Sequence, residues 1–264
     1  MDPIELLKYF LFSCLVFVPL ERVLALRPEQ RIFRRGWTLD LTHVFATGFL
    51  IQLGVAGLLL VTAWLSPHLV PETLREAVAA QPVWLAFLEV LILADAGFYF
   101  VHRAFHVVPW LWRFHAVHHS IEAMDFLAAH RVHALDQILT RGATLMPIYA
   151  LGFAPEPIAL FLVLYRWQSL LIHANTRIGI GPLKWIVASP VFHHWHHANQ
   201  PAALDKNFAG QLSVLDLVFG TLYMPRGEAP RRYGTDHPVP DTYLRQLASP
   251  FERAPKPKPA TALG

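Results

Sequence analysis

Apolar residues in this chain come in long blocks separated by short polar loops. Ile4 to Leu20 is apolar apart from Glu5, Lys8 and Ser13, and the character resumes from Val23 to Leu26. A membrane-crossing helix takes about 20 such residues, so this block is expected to be a first span. A signal peptide would carry a basic segment before the run and a small-residue cleavage site after it, and neither is present. Arg22, Arg27, Arg31, Arg34 and Arg35 follow, which by the positive-inside rule assigns their loop to the cytoplasm. Leu39 to Leu65 is a second span, with His43 near its start read as a polar residue at the interface. Ser66 to Gln81 holds Pro67, Pro71 and, besides His68, the single basic residue Arg75, which suits the opposite side. Val83 to Val101 is a third span returning to the cytoplasm.

Leu135 to Leu171 is apolar but broken by Pro147, Gly152, Pro155 and Pro157. That pattern fits a helical hairpin entering and leaving on the cytoplasmic side better than two clean crossings. Between the blocks, Pro109 and Trp110 open a helix, and Ser120 to Asp136 reads as an amphipathic helix at the membrane interface. Ser189-Pro190 is an N-cap followed by an N1 proline, the start of another helix. Asp205 to Gly210 is a polar turn, and Val214 to Tyr223 a short apolar element packing under the site. The expected fold is all-α. It is an integral membrane bundle of about four spans, the last two forming a re-entrant hairpin, with a cytoplasmic histidine-rich helical cap. One domain, 1–251, is expected, with its chemistry in 95–225 and a disordered tail at 252–264.

Composition agrees with a membrane protein: 16% of residues are charged, against about 25% in ordinary soluble chains. The formal charge of +3 reflects cytoplasmic-side lysines and arginines. No basic run is interleaved with aromatics, so nucleic acid is not an expected partner. The single cysteine, Cys14, lies in the first apolar block. It can form no intrachain disulfide, and a cysteine-containing zinc or blue-copper site is excluded.

The chemistry is carried by histidine. Twelve of the 15 histidines lie between His102 and His197. His102 and His106 are an i, i+4 pair; His115, His118 and His119 form an i, i+3, i+4 triplet, and His193, His196 and His197 repeat it. On a helix each set shares a face and can aim its rings at one point. A lone HxxxH is weak evidence, but three such sets in order after apolar spans are hard to explain as scattered core histidines. Neutral imidazole suits iron, zinc, copper and nickel, and so many rings suit two ions better than one. Asp95 precedes His102 by seven residues and His106 by eleven, on one helical stripe. It is placed either to accept a ligating ring N–H or to pair with Arg103. His194 sits about 100° from His193 on the wheel and is assigned to support or substrate contact. His133 is within reach of the clusters, while His130 falls on the other side of its helix.

At these residues the chain resembles the fatty acid hydroxylase/sterol desaturase superfamily, membrane-bound non-haem di-iron enzymes with HxxxH, HxxHH and HxxHH boxes. Asp95-Ala-Gly-Phe-Tyr99, Ile172-His173-Ala-Asn175, and Asp205-Lys-Asn-Phe-Ala-Gly210 leading to Phe219-Gly-Thr221 are also similar. The resemblance covers about His102 to Pro225. It implies His102, His106, His115, His118, His119, His173, His193, His196 and His197 as ligands of two iron ions, with zinc as a possible substitute. It implies Asp95, Asn175, His133 and His194 as supporting residues of the catalytic site. Some family members carry a further histidine four residues before the position of His173; here it is Ser169. Either the site has one ligand fewer, or His133 takes that place. The activity implied is O₂-dependent hydroxylation or desaturation of a lipid C–H bond. Electrons would come from a separate donor, such as a cytochrome b5-like protein, a ferredoxin or a reductase, because no fused module of that kind is present. The location implied is a bacterial inner membrane or the endoplasmic reticulum, with the site on the cytoplasmic side.

Three other classes compete. A membrane metal transporter would line a mid-membrane path with carboxylates, whereas these clusters sit beyond the span ends. A haem electron carrier needs only one or two axial histidines. A zinc hydrolase would need a general base that no HExxH motif supplies.

Overall fold

The computed structural model describes residues 3–252. The expected tail at 252–264 lies, apart from Glu252, outside the described residues. Eleven α-helices occur among the described residues, together with short 3₁₀ turns and no strand beyond two isolated bridges, Ala25 to Thr176 and Ala198 to Tyr233. They are α1 Pro3–Val23, α2 Trp37–Thr42, α3 Gly48–Leu69, α4 Glu72–Ala79, α5 Val83–Val107, α6 Pro109–His119, α7 Ala134–Leu151, α8 Pro155–His173, α9 Pro190–His196, α10 Val214–Val218 and α11 Tyr243–Ala248.

Two stretches are long and apolar enough to cross a membrane: Trp37–Leu69 and Val83–Val107. The first runs from α2 into α3 through a π-helical segment, His43–Thr47. Both leave large apolar side chains uncovered, among them Leu60 (74% exposed), Trp64 (69%) and Phe100 (53%). Uncovered apolar surface on this scale marks contact with lipid or another protein rather than with water. The second expected span matches α3, and the third extends further than its apolar block suggests. α5 continues to Val107 and carries His102 and His106 out on its last turns.

α3 and α5 both pack along α7. Gly97 permits the closest approach: a Cβ there would lie 2.7 Å from the Ala143 carbonyl oxygen, so the α5 and α7 backbones touch. The 135–171 block forms two helices joined by a short turn. Gly152, at φ 82°, ends α7 in the left-handed conformation that glycine adopts without steric cost. Pro155 then starts α8 at its first position.

One expected element is absent. Ser120 to Asp136 is no amphipathic helix but an irregular loop, a 3₁₀ turn at Phe126–His130 and an extended stretch leading into α7. Asp125 caps the 3₁₀ turn by accepting the Ala128 N–H at 2.9 Å. The segment buries Ile121, Met124, Phe126 and Leu127, and a buried charge network holds it in place. The Arg34 guanidinium donates to Asp125 at 2.6 and 2.7 Å and to Asp40 at 2.6 Å, and Arg131 donates to Asp40 as well. Arg34 therefore joins a buried pairing rather than a solvated cytoplasmic loop, and Asp40 is fully buried between two guanidinium groups. Glu21, near the end of α1, accepts from the backbone N–H groups of Phe126 and Asn175 at 2.8 and 2.9 Å. These contacts tie α1, the 3₁₀ turn and the end of α8 together.

Breaking a buried ion pair by removing one partner costs roughly 3–5 kcal/mol. Asp40→Ala is therefore expected to lower the thermal unfolding midpoint in mild detergent. An unchanged midpoint would show that the network contributes nothing to the fold.

Candidate metal centre

The histidine boxes arrive on separate elements. His102 and His106 come from the end of α5, His115, His118 and His119 from α6, His173 from the last residue of α8, and His193, His196 and His197 from α9 and its cap. Ser189 starts α9 as expected, its Oγ accepting the Phe192 N–H at 3.3 Å.

All nine come together, in two groups. His102, His106, His115, His119 and His196 form one; His118, His173, His193 and His197 form the other, and within each the ring nitrogens lie within 4.8 Å of one another. The HxxHH triplets are thus split between the groups. The i+3 and i+4 rings of each helix turn to different centres.

The far sides of these rings fix where their protons sit. His102 Nδ1 lies 2.7 Å from the Phe208 carbonyl oxygen, His118 Nδ1 3.0 Å from that of Arg131, His173 Nδ1 2.7 Å from that of Ser169, and His196 Nδ1 2.9 Å from that of Lys206. His115 Nδ1 meets Asp136 Oδ2 at 2.7 Å. A carbonyl or carboxylate oxygen only accepts, so each of these Nδ1 atoms carries the proton and each Nε2 presents a lone pair. Yet His102 Nε2 faces His115 Nε2 at 3.0 Å, and His118 Nε2 faces His173 Nε2 at 3.1 Å. Two bare lone pairs at that distance repel unless a cation is shared between them. His106 Nε2, His193 Nδ1 and His197 Nδ1 are buried without a hydrogen-bond partner.

Burial keeps both partners of the His118–His173 pair neutral. Burial, reinforced by neighbouring imidazoles, holds His118, His119, His193, His196 and His197 well below the ordinary imidazole range, so they stay neutral. Neutral rings with convergent lone pairs and hydrogen-bonded far sides fit a pair of borderline metal ions.

Among the described residues, none of the four residues expected to support the site bonds to a ring of the two groups. Asp95 bonds to no imidazole among the described residues. It accepts the backbone N–H groups of Gly210, Gln211 and Leu212 at 2.9, 2.9 and 2.6 Å. Three amide donors in a row suit a fully buried carboxylate better than one ring N–H. Asp216 does the same for Phe208 and Ala209, both at 2.8 Å. Together they set the 206–212 backbone whose carbonyls orient His102 and His196. Asn175 bonds in both directions to the Arg27 backbone at 3.0 Å. His194 donates to the Ala174 carbonyl and accepts from the Tyr233 hydroxyl, both at 3.0 Å. His133 caps α7, accepting the Leu135 N–H at 3.1 Å, and donates to the Leu247 carbonyl at 3.1 Å. Both its nitrogens are thus paired, and it belongs to neither histidine group.

The carboxylate that does orient a ring is Asp136, which the sequence marks only as the end of the Ser120–Asp136 segment. An acid at the start of an apolar helix directly behind the boxes was the available signal. The Arg131, Lys206 and Phe208 carbonyls leave no trace in side-chain patterns.

A small cavity of about 50 Å³ touches His102, His115, His118, His173 and His193. It shares Ala129, Val132, Gln137, Tyr165 and Ser169 with a larger, mainly apolar cavity of about 370 Å³ between α1, α3, α7 and α8. A separate cleft of about 690 Å³ reaches His106, His119, His196 and His197 from the loops around Asn199 and Asp236.

Residues 87–221, half of the chain, match the fatty acid hydroxylase family model. The chain belongs to the fatty acid hydroxylase family. It is 34% identical over 164 residues to the ornithine lipid hydroxylase OlsE of Rhizobium tropici, covering 62% of this chain and 49% of the relative. It is 33% identical over 159 residues to the alkylglycerol monooxygenase of Xenopus tropicalis, covering 59% and 33%. The human alkylglycerol monooxygenase is 34% identical over 154 residues, covering 58% and 33%. The chain thus spans between a third and half of the length of these relatives. No solved structure matches it. Family membership thus accompanies two buried histidine groups that could each hold a metal ion.

The depressed histidines predict a pH response of the metal-stripped protein. They are neutral when folded but titrate near 6.5 when unfolded, so unfolding takes up protons below that value. Stability present above about pH 6.5 is lost as pH falls below it. The melting temperature of chelator-treated protein should drop between pH 7.5 and 5.5; a flat profile would mean that the rings are not held neutral.

Proposed function

We propose that this chain hydroxylates or desaturates a lipid C–H bond at a di-iron centre held by the nine clustered histidines. His102, His106, His115, His119 and His196 would hold one ion, and His118, His173, His193 and His197 the other. The observation that carries the reading is the convergence of Nε2 atoms at 3.0 to 3.1 Å within two buried histidine groups, a donor set that suits metal cations. Iron bound there supplies the O₂ chemistry needed to break an unactivated C–H bond.

The chain's own residues do the rest. Carbonyls of Ser169, Arg131, Lys206 and Phe208, with Asp136, keep the rings in one tautomer and orientation. The apolar cavity takes the lipid and excludes water, and its throat at Val132, Tyr165 and Ser169 delivers a C–H bond to the histidine face. Hydroxylation places one oxygen atom in the product and releases the other as water, with two electrons and two protons supplied from outside. Desaturation removes a second hydrogen instead, and placement of the substrate decides between them. The cleft reaching His106 and His196 is the natural approach for a separate donor such as a cytochrome b5-like protein, a ferredoxin or a reductase. In the bilayer we assign four apolar passes, α7 and α8 forming the hairpin, with the histidine layer on the cytoplasmic side beside the arginine-rich loop after α1. Asp95, Asp216 and Asn175 act through the backbone that carries the rings.

The ligand grouping makes a specific prediction. His118→Ala and His196→Ala each disturb a different centre, so each variant should lose about one iron and all lipid oxidation under ¹⁸O₂. Retention of full iron with normal label incorporation in either variant would exclude that ring as a ligand.

A further inference from the structure

The apolar cavity is not purely apolar. Arg141 on α7 and Arg166 on α8 line it, and none of its lining residues is acidic. Among the described residues neither arginine has a carboxylate partner. Their guanidinium carbons lie over aromatic rings instead, Arg141 6.0 Å from the Tyr165 ring centre and Arg166 4.5 Å from that of Tyr9. Two of its lining residues carry a buried polar atom without a hydrogen-bond partner: Arg141 at Nε and Tyr9 at Oη. An arginine with an unused N–H in an apolar chamber is costly unless something anionic completes it.

We infer that this chamber contains an acid-recognition site, in which Arg141 and Tyr9 hold the carboxylate or phosphate head of an anionic amphiphile. The site rests on the lipid-oxidising reading above and narrows its substrate class. A guanidinium offers forked donors that match either oxyanion, and a phenol adds a neutral donor beside it. Leu145 and Phe161, lining the same chamber, provide apolar wall for the hydrocarbon. Tyr165 lines both the chamber and the histidine cavity, and the Arg141 guanidinium lies over its ring. An acid bound at Arg141 is therefore held next to the throat, and the bond presented to the histidines belongs to the same molecule.

The test is equilibrium displacement of a neutral fluorescent lipid probe from the iron-loaded full chain in uncharged detergent, without oxygen or reductant. Hexadecanoate, hexadecyl phosphate and methyl hexadecanoate are compared at neutral pH. At least one acid should bind about tenfold or more tightly than the ester, the size of a charge-assisted hydrogen bond. Arg141→Gln should bring acid and ester together while keeping wild-type iron content, and Tyr9→Phe should narrow the gap. Equal affinities for acid and ester in the wild type would overturn the site without need of any variant. So would an undiminished acid preference in Arg141→Gln. Displacement by acetate or inorganic phosphate at the concentrations effective for the long-chain acids would also overturn it, by showing a small-anion site rather than a lipid one. Because the readout uses no turnover, failure of the acid site leaves lipid oxidation standing, and failure of lipid oxidation leaves the displacement result standing.

Discussion

Everything in this structure is arranged around lone pairs that converge in a buried space. An imidazole aimed inward by a hydrogen bond on its far side has one electron pair and nowhere to put it except on a cation. Here the far-side acceptors are mostly main-chain carbonyls, so the backbone decides ring orientation. That is a demanding requirement, because loop backbone has to be held as firmly as a helix. Asp95 and Asp216 meet it by accepting five amide N–H groups from Phe208 to Leu212. Asn207, at φ 60°, adds side-chain bonds to the Phe192 and Tyr223 backbones. The buried carboxylates thereby serve the centre without touching it.

The same logic reaches the other side. Arg131 gives its carbonyl to His118 and its guanidinium to Asp40, so a charge pairing at the start of the Trp37–Leu69 stretch helps to position a ring on α6. Glu21 couples α1 to the residue that follows the His173 helix end. The long apolar helices and the converging rings are thus joined by buried polar contacts, not by apolar packing alone. Apolar packing between helices gains little in a bilayer, where the lipid is as apolar as the side chains, so polar contacts carry more of the specificity.

Much of this was legible beforehand where the signal was periodic. Apolar blocks located α3 and α5, helical spacing located the boxes, and the nine histidines named from the sequence are the nine that converge. What remained hidden depended on main-chain groups and on distant pairings. Asp95 shares a helical stripe with His102 and His106, but a stripe does not tell which partner a carboxylate meets, and three amides of a loop over a hundred residues away outcompete the ring. His133 lies within reach of the boxes in sequence and His194 within the third, yet backbone partners absorb both nitrogens of His133, and the Ala174 carbonyl and the Tyr233 hydroxyl absorb those of His194. The segment from Ser120 to Asp136 has amphipathic spacing, but the Arg34–Asp40–Arg131 and Arg34–Asp125 pairings hold it as a loop.

The most direct measurement of the central claim is the iron stoichiometry of wild-type protein, purified in mild detergent, stripped and reloaded anaerobically with ferrous iron. The two histidine groups predict about two tightly held irons per chain and no Soret band. A single iron, or none retained after desalting, would contradict a centre built from both groups.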